Sequence, residues 1–150
     1  MRAVVQRVAR AEVRVDGVIV GKIGCGLLTL LAVAKEDTEA DLHWLLDKIC
    51  GLRIFPNEQN KFDRSLEEIS GEILLVSQFT LYGDCRKGRR PGFESAAPPE
   101  LAQPMVEKAI DYLRAKGIPT QAGIFGAMMQ VELVNDGPVT LILDTPPKND

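Results

Sequence analysis

The sequence predicts one α+β domain, and its pattern, length and composition each point there. Segments with the period of strands and of helices follow one another as strands, helix, strand, helix, strands, with no internal repeat and no linker rich enough to divide the chain. At 150 residues the chain is the size of one domain, long enough to bury about two-thirds of its unfolded surface. Hydrophobic residues at 45 % and charged residues at 26 % are ordinary for a globular protein.

Arg10 to Asp16 alternates strictly, with Ala11, Val13 and Val15 on one face and Arg10, Glu12, Arg14 and Asp16 on the other. That is the period of a half-buried strand. Asp16-Gly17 turns the chain and Val18 to Lys22 returns as its hairpin partner. Gly26 to Ala34 is nearly all apolar, which predicts a strand covered on both faces. Thr38, followed three residues later by Asp41, marks a helix start. Leu42, Leu45, Leu46, Ile49 and Cys50 form its apolar stripe, and Gly51 reads as its stop.

Arg53 to Phe55 reads as a short strand before the polar loop PNEQNKFDRS, and Glu72 to Tyr82 as a long strand. Pro99 to Lys116 fits a second helix with Val106, Ala109, Ile110 and Leu113 in one stripe and Gly117 at its end. Pro104 suits the first turn of a helix starting near Gln103 and would kink one starting at Pro99. Met128 to Val134 and Val139 to Asp144 read as a final strand pair around Asp136-Gly137. That dipeptide suits a two-residue hairpin turn, yet Pro138 follows it and cannot donate to a ladder.

The longest apolar run, Gly26 to Ala34, is too short to cross a bilayer, and the N-terminal stretch lacks the apolar core of a signal peptide. A cytosolic protein without a membrane partner is expected, with disorder confined to the PPKND tail, residues 146–150. Cys25, Cys50 and Cys85 are an odd number at unrelated spacings, so reduced thiols are expected rather than disulfides or a zinc site, and no other metal-ligand spacing is present.

The only histidine, His43, follows Leu42 in the first turns of the first helix and reads as a surface residue, leaving no Ser-His-Asp or Cys-His device. Gly21 to Gly26 is glycine-rich but precedes a strand instead of opening a helix, so a dinucleotide loop fails on context. Net charge is −3, so the surface as a whole is not built to hold nucleic acid. Arg86-Lys87-Gly88-Arg89-Arg90 dissents, a basic loop that is either solvated or a phosphate contact.

In EILLVSQFTLY the apolar run Ile73 to Val76 gives way to Ser77-Gln78 and then Thr80. Such a strand opens onto a cleft or emerges into solvent. Ser77-Gln78-Phe79-Thr80-Leu81 together with Asn135-Asp136-Gly137-Pro138-Val139-Thr140 resembles the two signature motifs of the D-aminoacyl-tRNA deacylase family. MRAVVQRV, GxGLLxLLxV, LRIF, KGxRPxF and FGAxMxVxLVNDGPVT follow the family in order and spacing across nearly the whole chain. Gly92, where serine is frequent, and Met128, where an acid is frequent, depart from the pattern and leave the signature motifs intact.

The resemblance implies a barrel-like core of mostly antiparallel sheet, two main helices and a homodimer with active sites at the subunit interface. It implies hydrolysis of the ester in D-aminoacyl-tRNA, and of glycyl groups mischarged on tRNA-Ala, without a cofactor or metal. Ser77, Gln78, Phe79 and Thr80 would line the ester pocket, with the Phe79 and Thr80 amides suited to an oxyanion. Whether the Thr80 hydroxyl attacks, orients water or shapes the pocket stays open, as does assistance by the substrate's 2′-OH. A cis Gly137-Pro138 bond would project the pair into the partner's site, where two freed carbonyls exclude L-aminoacyl groups.

Asn135 and Thr140 belong to that motif. Arg7 is a candidate for holding it, and Phe125 and Met129 for lining an adenosine pocket; ordinary packing is the alternative for these three. Arg86, Lys87, Arg89 and Arg90 would contact tRNA phosphates. Two rival readings use the same residues. A tRNA-binding module without catalysis would release no amino acid from charged tRNA, and turnover by a hydrolase or binding protein for an unrelated small molecule would not respond to uncharged tRNA.

Overall fold

The computed structural model describes residues 1–148. Its first strand, β1 (Arg2–Val15), is 14 residues long and begins well ahead of the alternating stretch. Its first half alternates in burial, with Ala3, Val5 and Arg7 buried and Arg2, Val4 and Gln6 half-buried, but Val4 on the more open face and Arg7 on the buried one mask that period in the sequence. Ala3 and Val5 pack under the helices, whereas Val8, Ala11 and Val13 point into a second core. Register shifts around Val8 exchange the two faces. Asp16 and Gly17, with φ of 50° and 78°, make the expected turn into β2 (Val18–Ile23).

Two strands follow in the same sheet, β3 (Gly26–Ala32) and, after the first helix, a strand over Glu72–Ser77. The strand expected at Arg53 to Phe55 is Phe55–Pro56 (β4), and it pairs with Phe62–Arg64 (β5) inside the stretch read as loop. The tip of this hairpin is fastened by the Asn57 side chain, whose oxygen accepts the Gln59 and Lys61 N–H groups at 2.9 and 3.1 Å. Glu72–Ser77 is therefore β6, and it runs parallel to β3. It ends at Ser77, not Tyr82, because Phe79–Tyr82 winds into a 3₁₀ turn. A three-residue β7 (Thr120–Ala122), too short to show a period, completes the order β2-β1-β3-β6-β7.

The sheet curls until β7 comes back to β2 in a nearly closed barrel. At the closure a Cβ on Gly21 would lie 2.7 Å from the Ala122 carbonyl oxygen, so only glycine lets these strands meet.

The expected final hairpin is instead one strand, β8 (Gln130–Asp144), antiparallel to β1 along both halves. Gln6 pairs with Thr140 and Val8 with Asn135, so residues 136–139 of β8 face Arg7 alone. Pro138 sits in this bulge, where no ladder hydrogen bond is asked of it. This resolves the conflict between the turn signal and the proline.

Helix α1 (Glu39–Gly51) opens on a complete capping box between Thr38 and Asp41, and Leu42, Leu45, Leu46, Ile49 and Cys50 are its buried stripe. Gly51 is its last residue, and the chain leaves in extended geometry at Leu52 rather than through a left-handed glycine. Helix α2 (Pro99–Ala115) starts at Pro99 with Pro104 inside it, so the start near Gln103 is not used. Gly117, at φ 85°, closes it with an N–H donated to the Arg114 carbonyl at 3.0 Å. Both helices cover one face of the sheet over Leu27, Leu31, Ile73 and Leu75.

Residues 146–148 have no regular structure, and the Lys148 ammonium lies 3.3 Å from the Asp41 carboxylate; the remainder of the expected disordered tail falls outside the described residues. Cys25 and Cys85 are exposed, Cys50 is buried, and all are free. Burial pushes the Cys50 thiol up to about 11. Among the described residues no helix is long and apolar enough to cross a membrane.

Candidate active site

Where β6 ends, the chain must turn away from the sheet without losing its last backbone bonds. The Gln78 N–H donates to the Leu31 carbonyl at 2.8 Å, and the 3₁₀ turn then closes with Leu81 N–H to Gln78 O at 3.2 Å and Gly83 N–H to Thr80 O at 2.9 Å. The Phe79 and Thr80 amides open this turn, and neither has a hydrogen-bond acceptor among the described residues. Arg2 braces the far end of the turn. Its Nη1 donates to the Leu81 carbonyl at 3.0 Å and its Nε to Asp144 at 2.8 Å, with the guanidinium 5.2 Å from the Tyr82 ring centre.

The turn borders a cleft of about 550 Å³ between the ends of β3 and β6, the start of α2 and the loop before β8. Ser77, Gln78, Phe79, Phe125 and Met129 all line it. Thr80, expected to line the pocket with them, is not a lining residue; it follows Phe79 in the turn, exposed, with its hydroxyl accepting a hydrogen bond from the Gln78 side-chain amide. Phe93 is a lining residue that was not singled out in the sequence, although it ends the quoted KGxRPxF stretch. It meets Phe79 edge to face, with ring centres 5.1 Å apart. No lining residue is ionisable, and His43 is elsewhere, stacked on Tyr112 at 4.2 Å.

The second sequence motif is built on the β8 bulge. Arg7 is buried, and its Nε donates to the Asp136 carbonyl at 2.8 Å and its Nη1 to the Ile54 carbonyl at 2.7 Å. Asn135 ties the other side, accepting the Val139 N–H at 2.8 Å and donating to the Thr140 hydroxyl at 2.9 Å. Between these anchors Gly137 and Pro138 are exposed, joined by a cis bond, with Gly137 at φ 142°. Arg7, Asn135 and Thr140 thus converge on Gly137-Pro138. None of residues 134–140 lines the cleft of the same chain.

The basic stretch is a loop closed at its neck, where Asp84 N–H donates to Gly92 O at 2.7 Å and Gly92 N–H returns to Asp84 O at 2.9 Å. Within it Arg86 is engaged by the Asp84 carboxylate through Nε and Nη2, both at 2.8 Å, which holds the Asp84 carboxyl below its usual range. The Arg86 side chain nonetheless stays 86 % exposed. Lys87, Arg89 and Arg90 are exposed and have no ion-pair partner among the described residues.

A curled sheet covered by two helices, with a cleft beside two free amides and an exposed strand bulge, defines a small single-domain α+β protein. The chain belongs to the family described as "D-Tyr-tRNA(Tyr) deacylase", whose pattern matches residues 4–144. It is similar to a protein of Desulfitobacterium hafniense described as a D-aminoacyl-tRNA deacylase, 57 % identical over 145 residues that cover 97 % of each chain. A solved structure titled "c-Myc DNA Unwinding Element Binding Protein" superposes with a TM-score of 0.93 at 43 % identity, covering 98 % of this chain and all of its own. A structure titled as a probable eukaryotic D-amino acid tRNA deacylase shares the fold, with a TM-score of 0.83 at 20 % identity over 95 % of this chain and 97 % of its own.

Proposed function

We propose that the protein hydrolyses the ester of D-aminoacyl-tRNA, releasing free D-amino acid and tRNA. The observation that carries this reading is the pair of unbonded amides, Phe79 and Thr80, at the border of a cleft that has no ionisable wall. An aminoacyl ester is reactive enough that water held near it, with N–H groups aimed at the developing oxyanion, accounts for catalysis. Water adds to the carbonyl carbon, the ester C–O bond breaks, and the ribose oxygen leaves with a proton. Ser77, Gln78 and Thr80 orient the ester and water, while Phe125 and Met129 hold the terminal adenosine.

Handedness is read by Gly137-Pro138 of a second copy. The chain's own cleft lacks this motif, and two features support a homodimer that supplies it. The outer edge of β8 has no strand partner among the described residues, and Val134 and Ile142 are exposed beside it. Main-chain oxygens at the bulge tip hold the α-ammonium, so an L side chain meets backbone while a D side chain points out. Glycine, having no side chain, passes, which extends the activity to glycyl groups mischarged on tRNA-Ala. Such an enzyme works where tRNA is charged, in the cytoplasm.

The test is release of free amino acid from D- and L-aminoacyl-tRNA by purified protein. Rapid release from the D ester alone is expected; binding without release would sink the proposal. The pH profile is a further prediction. With no ionisable wall, and with burial pushing the Tyr82 phenol up to about 12, the one inflection expected in log kcat/KM is that of the free substrate's own amine, about pH 7.7. A second, enzyme-borne limb in the profile would contradict it.

Lys87, Arg89 and Arg90 contact tRNA phosphates in this reading. Replacing all three with alanine is expected to raise KM about tenfold at physiological salt, to flatten the slope of log KM against log salt by about 2 to 3, and to leave kcat unchanged. An unaltered salt slope would remove the loop from the interface.

A further inference from the structure

Arg7 is only 9 % exposed, yet no carboxylate lies within ion-pair distance of it among the described residues. A desolvated cation without a counter-charge is costly unless other groups offset its charge. Two carbonyls satisfy Nε and Nη1. The third group is an aromatic face: the Phe62 ring centre lies 5.5 Å from the guanidinium carbon, within the range in which a ring quadrupole attracts a cation.

The local sequence is built to hold that ring there. Phe55 anchors β4 in the core at 3 % exposure, Phe62 sits opposite Pro56 in β5, and Arg53 reaches across to Asp63 through a side-chain ion pair. Phe62 itself remains 59 % exposed, so core packing does not explain its position. The bulge meets the same guanidinium at its edge, where Nε donates to the Asp136 carbonyl and an added Cβ on Gly137 would stand 3.1 Å from Nη2. The Phe62 ring and the bulge thus both contact the same guanidinium.

We infer that Phe62 is a positioning residue for stereoselection, its ring clamping Arg7 so that the Asp136 carbonyl and the Gly137-Pro138 tip hold one pose. The inference rests on the proposed chiral reading of that motif. Hairpin β4–β5, none of whose residues lines the cleft, thereby acts on selectivity through a single side chain.

Phe62→Ala, Phe62→Leu and Phe62→Trp in the full chain test this with two readouts: the ratio of D- to L-ester hydrolysis, and solvent exchange of the Arg7 Nε–H followed by NMR. Alanine and leucine are expected to lower the ratio about tenfold and to speed exchange by a similar factor, and tryptophan to restore both. Leucine behaving like the wild type would overturn the inference, since apolar cover alone would then suffice. Unchanged exchange in the alanine variant would overturn it as well, and so would faster exchange with an unaltered ratio. If the unmodified protein releases no amino acid, the proposed activity fails, and the exchange measurement still decides whether the ring holds Arg7.

Discussion

Substituting alanine for Gly137 is expected to lower kcat/KM on D-aminoacyl-tRNA by about 10- to 100-fold and to narrow the D-to-L ratio. The reason is local. At φ 142° an L side chain is strained, and a Cβ there would lie 2.8 Å from Val139 Cγ2, 3.0 Å from Val139 N and 3.1 Å from Arg7 Nη2. The valine is fixed by its N–H bond to Asn135 and the arginine by two carbonyls. The tip itself must therefore move, which shifts the oxygens proposed to receive the α-ammonium. Steady-state kinetics on both enantiomers, with a melting curve to confirm the fold, measures this. Unchanged selectivity would show that the tip does not read handedness.

The second large effect is expected at the turn. Phe79 is its first residue, a position where proline's fixed φ and missing N–H are tolerated. Phe79→Pro therefore deletes a proposed oxyanion donor while keeping the turn, and Phe79→Ala controls for the lost ring beside Phe93. Proline is expected to lower kcat about 100- to 1,000-fold beyond alanine, the usual consequence of removing one donor aimed at an oxyanion. Equal kcat values in the two variants would mean that this amide does not touch the transition state.

Much of this architecture was legible in the sequence wherever one physical signal acted alone. The α1 stripe and its capping box, and the Asp16-Gly17 turn with both residues at positive φ, stand as read. Signals failed where tertiary structure overrode them. The first half of β1 alternates in burial, but Val4 on its more open face and Arg7 on its buried one hide the period in the sequence. Glu72 to Tyr82 reads as one strand because Phe79, Leu81 and Tyr82 have strand-like composition, but Gln78 bonds to Leu31 and the chain winds into a turn.

The turn dipeptide Asp136-Gly137 was read as a hairpin, whereas both flanking segments pair with the same long strand and the dipeptide lies in a bulge. For the site, Ser77, Gln78, Phe79, Phe125 and Met129 do share one cleft. Phe93 escaped notice because an isolated aromatic after a charged loop carries no periodic signal.

The central claim is that one subunit's bulge completes the other's cleft. It is tested most directly by mixing Gly137→Ala protein, defective in the bulge, with Phe79→Pro protein, defective in the cleft, then dissociating and reassociating the pair. Presentation between subunits predicts recovery of about a quarter of wild-type activity on D-aminoacyl-tRNA, since half the dimers are mixed and each mixed dimer holds one intact site. No recovery above the separate variants, with mixed dimers demonstrably formed, would contradict the account.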